Sequence, residues 1–244
     1  MSTRLSTAML MAAGLGKRMR PLTATRPKPL VRVAGKALID HALDRIEEAG
    51  IGRIVVNVHY LPDSIIAHLK ARRTQADYVI SDERDRLLET GGGLMKAAPL
   101  LGDQPFLCAN SDNLWVDGPR NSIEMLAELW DDAKMDALLL MIPHARATCH
   151  SGPGDFHMAP DGRLSRRKPG YIAPFVYTGI QILSPRLCWS IRRAMCSPPI
   201  CSGTARSRPG GSMAHRTPDC GSMSARHRQS RWWRPTSYMA EGHD

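Results

Sequence analysis

The sequence predicts an α/β protein: a doubly wound, mainly parallel β-sheet with a small antiparallel β extension. Three observations predict it. Apolar, β-rich runs alternate with amphipathic helical segments from residue 7 to residue 142. Glycine-rich and acidic clusters follow directly after those runs, at the carboxyl ends of strands, where sheets of this kind bind ligands. Beyond residue 153 the pattern changes to short runs separated by turns.

The first strand is the run TAMLMAA at 7–13, cut off by Gly14 and Gly16. Over 36–49, Leu38, Ile39, Ala42, Leu43 and Ile46 recur at helical spacing, with Gly50 as the stop. RIVVNVH at 53–59 reads as a strand. Pro62 and Asp63 open a helix over 62–72, with Ile65, Ile66 and Leu69 as its apolar stripe. DYVI at 77–80 is a strand, 93–101 a short helix, and PFLCA at 105–109 a strand ending in Asn110–Asp112. A helix over 121–130 carries Ile123, Leu126, Leu129 and Trp130, and DALLLMI at 136–142 is a strand buried on both faces. GDFHM at 154–158, the turn PDGR at 160–163 and YIAPFVYTGIQIL at 171–183 read as antiparallel strands on the edge of the sheet.

With 244 residues, 43% of them apolar, the chain can bury one sizeable core, or one core and a small lobe. A charged fraction of 23% excludes wholesale disorder. No apolar run reaches the roughly 18 residues of a membrane span, and no secretory leader is visible, so the expected compartment is the cytoplasm. The net charge of +10 suggests a nucleic-acid binder, but its distribution argues otherwise. Residues 1–187 hold 24 Lys+Arg against 20 Asp+Glu; residues 188–244 hold 9 Arg against 3 acids, and no Leu, Val, Phe or Lys. Four of the six cysteines, Cys188, Cys196, Cys201 and Cys220, also fall in that last stretch, where no apolar face can be drawn. The chain therefore divides into a domain at 1–187 and an aberrant, poorly ordered basic tail at 188–244.

Four motifs carry chemistry. Ala12-Ala13-Gly14-Leu15-Gly16-Lys17-Arg18-Met19-Arg20 follows the first strand: glycines let backbone N–H groups converge on an anion, and Lys17, Arg18 and Arg20 add charge. It is neither a Walker loop, since Arg18 follows Gly16-Lys17, nor a dinucleotide fingerprint, since Met19 stands where a third glycine is needed. In Arg26-Pro27-Lys28-Pro29-Leu30, two prolines stiffen the backbone that presents the Lys28 ammonium. In Leu88-Glu89-Thr90-Gly91-Gly92-Gly93, glycines before a helix allow close approach to a flat base. In Asn110-Ser111-Asp112, a carboxylate at a strand's carboxyl end suits Mg²⁺, which shares its shell with phosphates. Neither the histidines nor the cysteines show a metal-binding spacing, and Cys108, in an apolar strand, reads as an inert core thiol.

Taken together, these motifs resemble the sugar-1-phosphate nucleotidyltransferases, which make nucleotide sugars from an NTP and a sugar-1-phosphate. The pattern A-A-G-x-G-x-R-M-x-P-L-T, P-K-P-L, E-T-G-G-G, N-x-D is present in order. Within the family, TRPKPLVRVAGKALIDHAL, LLETGGG, GDF and YTGI are most similar to N-acetylmuramate α-1-phosphate uridylyltransferases. Mannose-1-phosphate guanylyltransferases share most of the first half. The resemblance covers about 7–187 and implies the Rossmann-like nucleotide-diphospho-sugar transferase fold. It implies a cytoplasmic enzyme of nucleotide-sugar biosynthesis and cell-wall recycling, with Mg²⁺ as cofactor and neither nucleic acid nor membrane as partner. It further implies that Ala13, Gly14, Gly16, Lys17, Arg18 and Lys28 hold the NTP, with Arg18 and Lys28 catalytic. Thr90 and Gly91 would lie against the base, Asp112 would bind Mg²⁺, and Asn110, Asp155, Thr178 and Gly179 would lie near the sugar.

The tail departs from the family, whose late W-x-D-V-G-T-type motif carries a second Mg²⁺ carboxylate; residues 213–219 read MAHRTPD. A frame shifted by two bases permits F-S-A-N-L-L-W-D-R-A-I-A-A-G-R-L-Y from codons 196–213 and L-W-L-(D or H)-V-G-T-P from codons 219–227. Two ordered motifs in one shifted frame imply a frameshift near Leu187–Cys188. The competing readings are a pseudoenzyme that senses nucleotide or sugar phosphate, and a nucleic-acid binder using the Arg-rich tail and Trp232-Trp233.

Overall fold

The computed structural model describes residues 4–147 and 150–188. At its centre lies β1 (Thr7–Met11), the first apolar run of the chain. On one side it pairs in parallel with β4 (Arg53–Val58), which pairs in parallel with β5 (Asp77–Asp82). On the other side it pairs in parallel with β6 (Phe106–Asn110). The carboxyl ends of these four strands therefore open along one edge of the sheet. A small hairpin of β2 (Arg32–Val33) and β3 (Lys36–Ala37) stands apart from it.

The connecting helices are α1 (Leu38–Glu48), α2 (Pro62–Ala71), α3 (Glu89–Leu101) and α4 (Ser122–Leu129). Pro62 occupies the first turn of α2, where a missing N–H costs nothing. Asn121 caps α4, its side chain accepting from Ile123 N and Glu124 N at 2.8 and 3.4 Å. Alternation along β1 sorts the core into two layers. Ala8 and Leu10 face a cluster with Ile39, Leu43 and Ile46 of α1, Ile65 of α2 and Ile123 of α4. Met9 faces a second cluster with Leu94 and Ala97 of α3. Helices on both faces make the sheet doubly wound.

Two expectations are corrected. The segment 93–101 is only the end of α3, which begins at Glu89 and takes all three glycines into its first turns. Low intrinsic propensity marks that run as a turn, and tertiary contact beneath Gly93 overrides it. The segment 171–183 is not an edge element: residues 171–174 are irregular, and β10 (Phe175–Leu183) lies inside the sheet. One edge of β10 pairs antiparallel with β7 (Ala137–Pro143). Its other edge pairs antiparallel with β6 and then, at Phe175, with β8 (Phe156–Met158), which forms a hairpin with β9 (Leu164–Arg166). An irregularity between Tyr177 and Gln181 breaks the β10 register. The bulge falls at Thr178 and Gly179, and the strand continues past it to Leu183.

Among the described residues, no helix is long and apolar enough to cross a membrane. The assigned tail at 188–244 lies outside the described residues apart from Cys188, which is buried in the second cluster.

Candidate active site

The glycine loop leaves the carboxyl end of β1 and enters a short 3-10 turn, Lys17–Met19. Gly16 sits at φ +61, a left-handed conformation, and its carbonyl accepts from Met19 N and Thr23 Oγ1 at 2.9 and 2.8 Å. A Cβ at Gly16 would stand 3.0 Å from both Lys28 Cβ and Thr23 Cγ2, so the loop is packed directly against the lysine segment. Pro27 and Pro29 are buried on either side of half-buried Lys28. Lys17, Arg18 and Arg20 are exposed, and none of their side chains has a hydrogen-bond or ion-pair partner among the described residues. The Lys28 ammonium is ion-paired with the Asp112 carboxylate.

Asp112 follows β6 on the same edge of the sheet. Its neighbour Ser111 donates to Met11 O through both backbone N and Oγ, at 3.1 and 2.7 Å. Gly179, at φ +77 in the β10 irregularity, presses against Asn110 and Asn113: a Cβ there would lie 2.6 Å from Asn110 Nδ2 and closer still to Asn113 Nδ2. Asn113 donates to Thr178 O, and Thr178 Oγ1 donates to Leu140 O at 2.9 Å. Asn110, Thr178 and Gly179 thus gather beside Asp112. Asp155 is differently engaged: its Oδ2 accepts from Tyr177 N at 2.9 Å, which ties the β8 approach to β10.

Thr90, exposed, and Gly91, half-buried, lie in the first turn of α3, where free N–H groups point away from the helix. Below them, Asn57 and Glu83 are each 1% exposed and hydrogen-bonded to one another. Sequence reasoning missed Asn57, Glu83 and Asn113, and it gave Ser111, named within its motif, no role of its own. The available signals were an Asn inside an otherwise apolar strand and a Glu directly after one. No group of three or more His, Cys, Asp or Glu able to hold a metal occurs among the described residues. Cys108 fits its reading as a core thiol: burial pushes it up to about 12, well away from a reactive thiolate.

The arrangement brings an open cationic loop, a lysine–carboxylate pair and a glycine-lined helix start to one edge of the sheet, chemistry that could receive an anion. The chain belongs to the nucleotidyl transferase family, whose profile matches residues 7–149. It is 45% identical over 183 residues to the N-acetylmuramate alpha-1-phosphate uridylyltransferase of Caulobacter vibrioides, covering 74% of this chain and 76% of that protein. It is 36% identical to the protein of the same name from Neisseria meningitidis, with coverage of 74% and 76%. A mannose-1-phosphate guanyltransferase of Aspergillus fumigatus matches at 39% over 108 residues, 43% of this chain and 30% of that protein. Among solved structures, the inositol-1-phosphate CTP transferase of T. maritima shares the fold, with a TM-score of 0.65 at 16% identity, covering 80% of this chain and 76% of that one.

Proposed function

We propose that the chain joins UTP to N-acetylmuramate-1-phosphate, forming the UDP-sugar and pyrophosphate. The observation that carries this reading is the meeting of the open Gly14–Arg20 loop with the Lys28–Asp112 pair at the carboxyl edge of the parallel strands. The choice of UTP and of the muramate sugar rests on the uridylyltransferases, which match over 183 residues, against the shorter 108-residue match to a guanyltransferase.

Arg18, with Lys17 and the loop N–H groups, binds the triphosphate. Lys28 leaves Asp112 for a phosphate oxygen near the reacting phosphorus. Thr90 and Gly91 lie against the base, and Asn110, Thr178 and Gly179 border the sugar. Asp155 supports that border by holding Tyr177. Asp112 would hold Mg²⁺: a carboxylate suits a hard cation that takes other oxygens from phosphates and water. When bound, Mg²⁺ offsets charge building on the α-phosphate. A phosphate oxygen of the sugar attacks the α-phosphorus in line, and pyrophosphate leaves. With a second pKa of about 6, the sugar phosphate is already an anion at neutral pH and needs no general base. Catalysis is therefore positioning and charge neutralisation.

Residues 188–244 are proposed as the product of a reading frame shifted near Leu187–Cys188, which lowers turnover in this chain. The test compares this chain with one carrying the alternative frame after Leu187, measuring pyrophosphate release with each NTP and a panel of sugar-1-phosphates. Fast release by the restored chain with UTP and the muramate phosphate, and slow release by this one, is expected. Equal rates would remove the frameshift proposal. Preference for GTP and mannose-1-phosphate would move the assignment to the guanylyltransferases, and saturable nucleotide binding with no turnover in either chain would favour a sensor.

A further inference from the structure

One peptide bond at the end of β1 is held from both sides. The Met11 carbonyl accepts from Ser111 N and Ser111 Oγ, at 3.1 and 2.7 Å. The Ala12 N–H donates to Asn57 Oδ1 at 2.7 Å. Asn57 Nδ2 in turn donates to Glu83 Oε1 at 2.8 Å. The third glycine of α3 rests on this pair: a Cβ at Gly93 would lie 2.7 Å from Glu83 Oε1 and 2.8 Å from Asn57 Nδ2. The Glu83 backbone is also fixed, its N donating to Val58 O at 2.7 Å and its carbonyl accepting from His59 Nδ1 at 2.7 Å and Arg86 N at 3.0 Å.

Stability does not account for this relay. A buried Asn–Glu pair gains little over well-packed apolar side chains. Here Glu83 Oε2 is buried with no hydrogen-bond partner among the described residues, an arrangement that costs free energy. What the relay does is mechanical. It sets the tilt of the peptide from which the Ala13–Gly16 loop departs, and it seats the helix turn that carries Thr90 and Gly91. Ser111, on the opposite side of the same peptide, precedes Asp112.

We propose that Asn57 and Glu83 are positioning residues for the nucleotide, acting through the Ala12 amide on the glycine loop and through Gly93 on the start of α3. The inference rests on the nucleotidyl-transfer reading of this edge and deepens it. Neither residue touches substrate; both align the groups that do.

The test uses the full chain, with two readouts: UTP affinity in the presence of Mg²⁺ by calorimetry, and ligand-free amide exchange over residues 12–18 and 89–93. Asn57→Asp sets two carboxylates against each other, and UTP affinity is expected to fall about tenfold, or about 1.4 kcal/mol, with faster exchange in both segments. Glu83→Gln keeps an oxygen for Asn57 Nδ2 and stays within about twofold of the parent. The double variant N57D/E83Q rebuilds the relay with its polarity reversed: the carboxylate introduced at position 57 accepts from the Ala12 N–H and from the side-chain amide introduced at position 83. It should recover both affinity and exchange protection relative to N57D. Leu69→Ala, on the buried face of α2, should lower the melting temperature without altering exchange at 12–18. A double variant as weak and as exchange-labile as N57D overturns the proposal, as does loop exchange that merely follows melting temperature across all four variants. A parent chain that binds no UTP removes the uridylyl reading, and the exchange data still decide the role of the relay.

Discussion

Lys28 and Asp112, 84 positions apart in the chain, form an ion pair beside the glycine loop. The lysine proposed for phosphate and the carboxylate proposed for Mg²⁺ satisfy one another. On the proposed roles, nucleotide would take the lysine and metal the carboxylate, so each ligand competes with the pair.

This pairing predicts effects of opposite sign in Lys28→Ala. Without nucleotide, the freed Asp112 should bind Mn²⁺ more tightly than in the parent, read by electron paramagnetic resonance. Affinity for the Mg²⁺–nucleotide complex should fall about tenfold or more, because a charge-assisted hydrogen bond is lost. A variant that loses both affinities would show that the ion pair is not what the two ligands compete for.

The two glycines of the Gly14–Arg20 loop should differ in tolerance. Gly16→Ala puts a methyl 3.0 Å from Lys28 Cβ in a left-handed conformation that costs an L-residue roughly 1–2 kcal/mol. It should lower the melting temperature and weaken triphosphate binding together, because relief of the contact displaces Lys28. At Gly14 an added Cβ meets nothing within 4 Å, so Gly14→Ala should leave the melting temperature nearly unchanged. Differential scanning fluorimetry with and without nucleotide reads both.

Arg18 is exposed and has no partner among the described residues, so Arg18→Ala should be neutral for folding. Its expected effect is on the triphosphate: affinity for UTP should fall several-fold while affinity for uridine stays constant. Equal losses for UTP and uridine would place Arg18 away from the phosphates.

Stability should depend on pH through the cluster around Arg72, which bonds Asp40 Oδ1 at 2.6 Å, Asp44 Oδ1 at 2.8 Å, Glu47 Oε1 at 3.1 Å and Tyr78 OH at 2.7 Å. Burial raises the Asp40 and Glu47 carboxyls, but hydrogen bonds outweigh it and hold both below their ordinary values of 3.8 and 4.5: His68 and Arg72 act on Asp40; Tyr78, Thr74 and Arg72 act on Glu47. A lowered folded-state value stabilises the fold above the ordinary value and is lost as pH falls through it. Urea midpoints should therefore drop as pH falls below about 4.5. Burial and the Glu47 carboxylate push Tyr78 up to about 12, so its contribution holds below pH 10 and is lost as pH rises toward 12. In Arg72→Met the acid limb should flatten.

Much of the fold was legible because its signals are local. Pro62, Gly50 and the apolar spacing of Leu38 through Ile46 place helix ends and faces within a residue or two of where they lie. The glycine loop, Lys28 and Asp112 were legible as separate residues; their contact was not, because nothing local to residue 28 specifies position 112. The start of α3 was hidden because Gly93 answers to Asn57 in β4 and to Glu83 just after β5. The place of β10 was hidden by Thr178 and Gly179, whose polarity serves a bulge against Asn110 and Asn113 rather than an exposed edge.

The position of β10 also orders events in time. β6 and β7 are neighbours in sequence, but both pair with β10 in the sheet, through contacts such as Leu183 with Phe106 and Ile182 with Leu138. While the chain is being synthesised, β6 therefore waits with a bare hydrogen-bonding edge, and β7 waits with no strand beside it, until residue 183 has emerged. An uncovered apolar edge is a template for pairing with another chain. Nascent chains arrested between residues 143 and 175 should accordingly be the most aggregation-prone lengths, and solubility should return once β10 can insert.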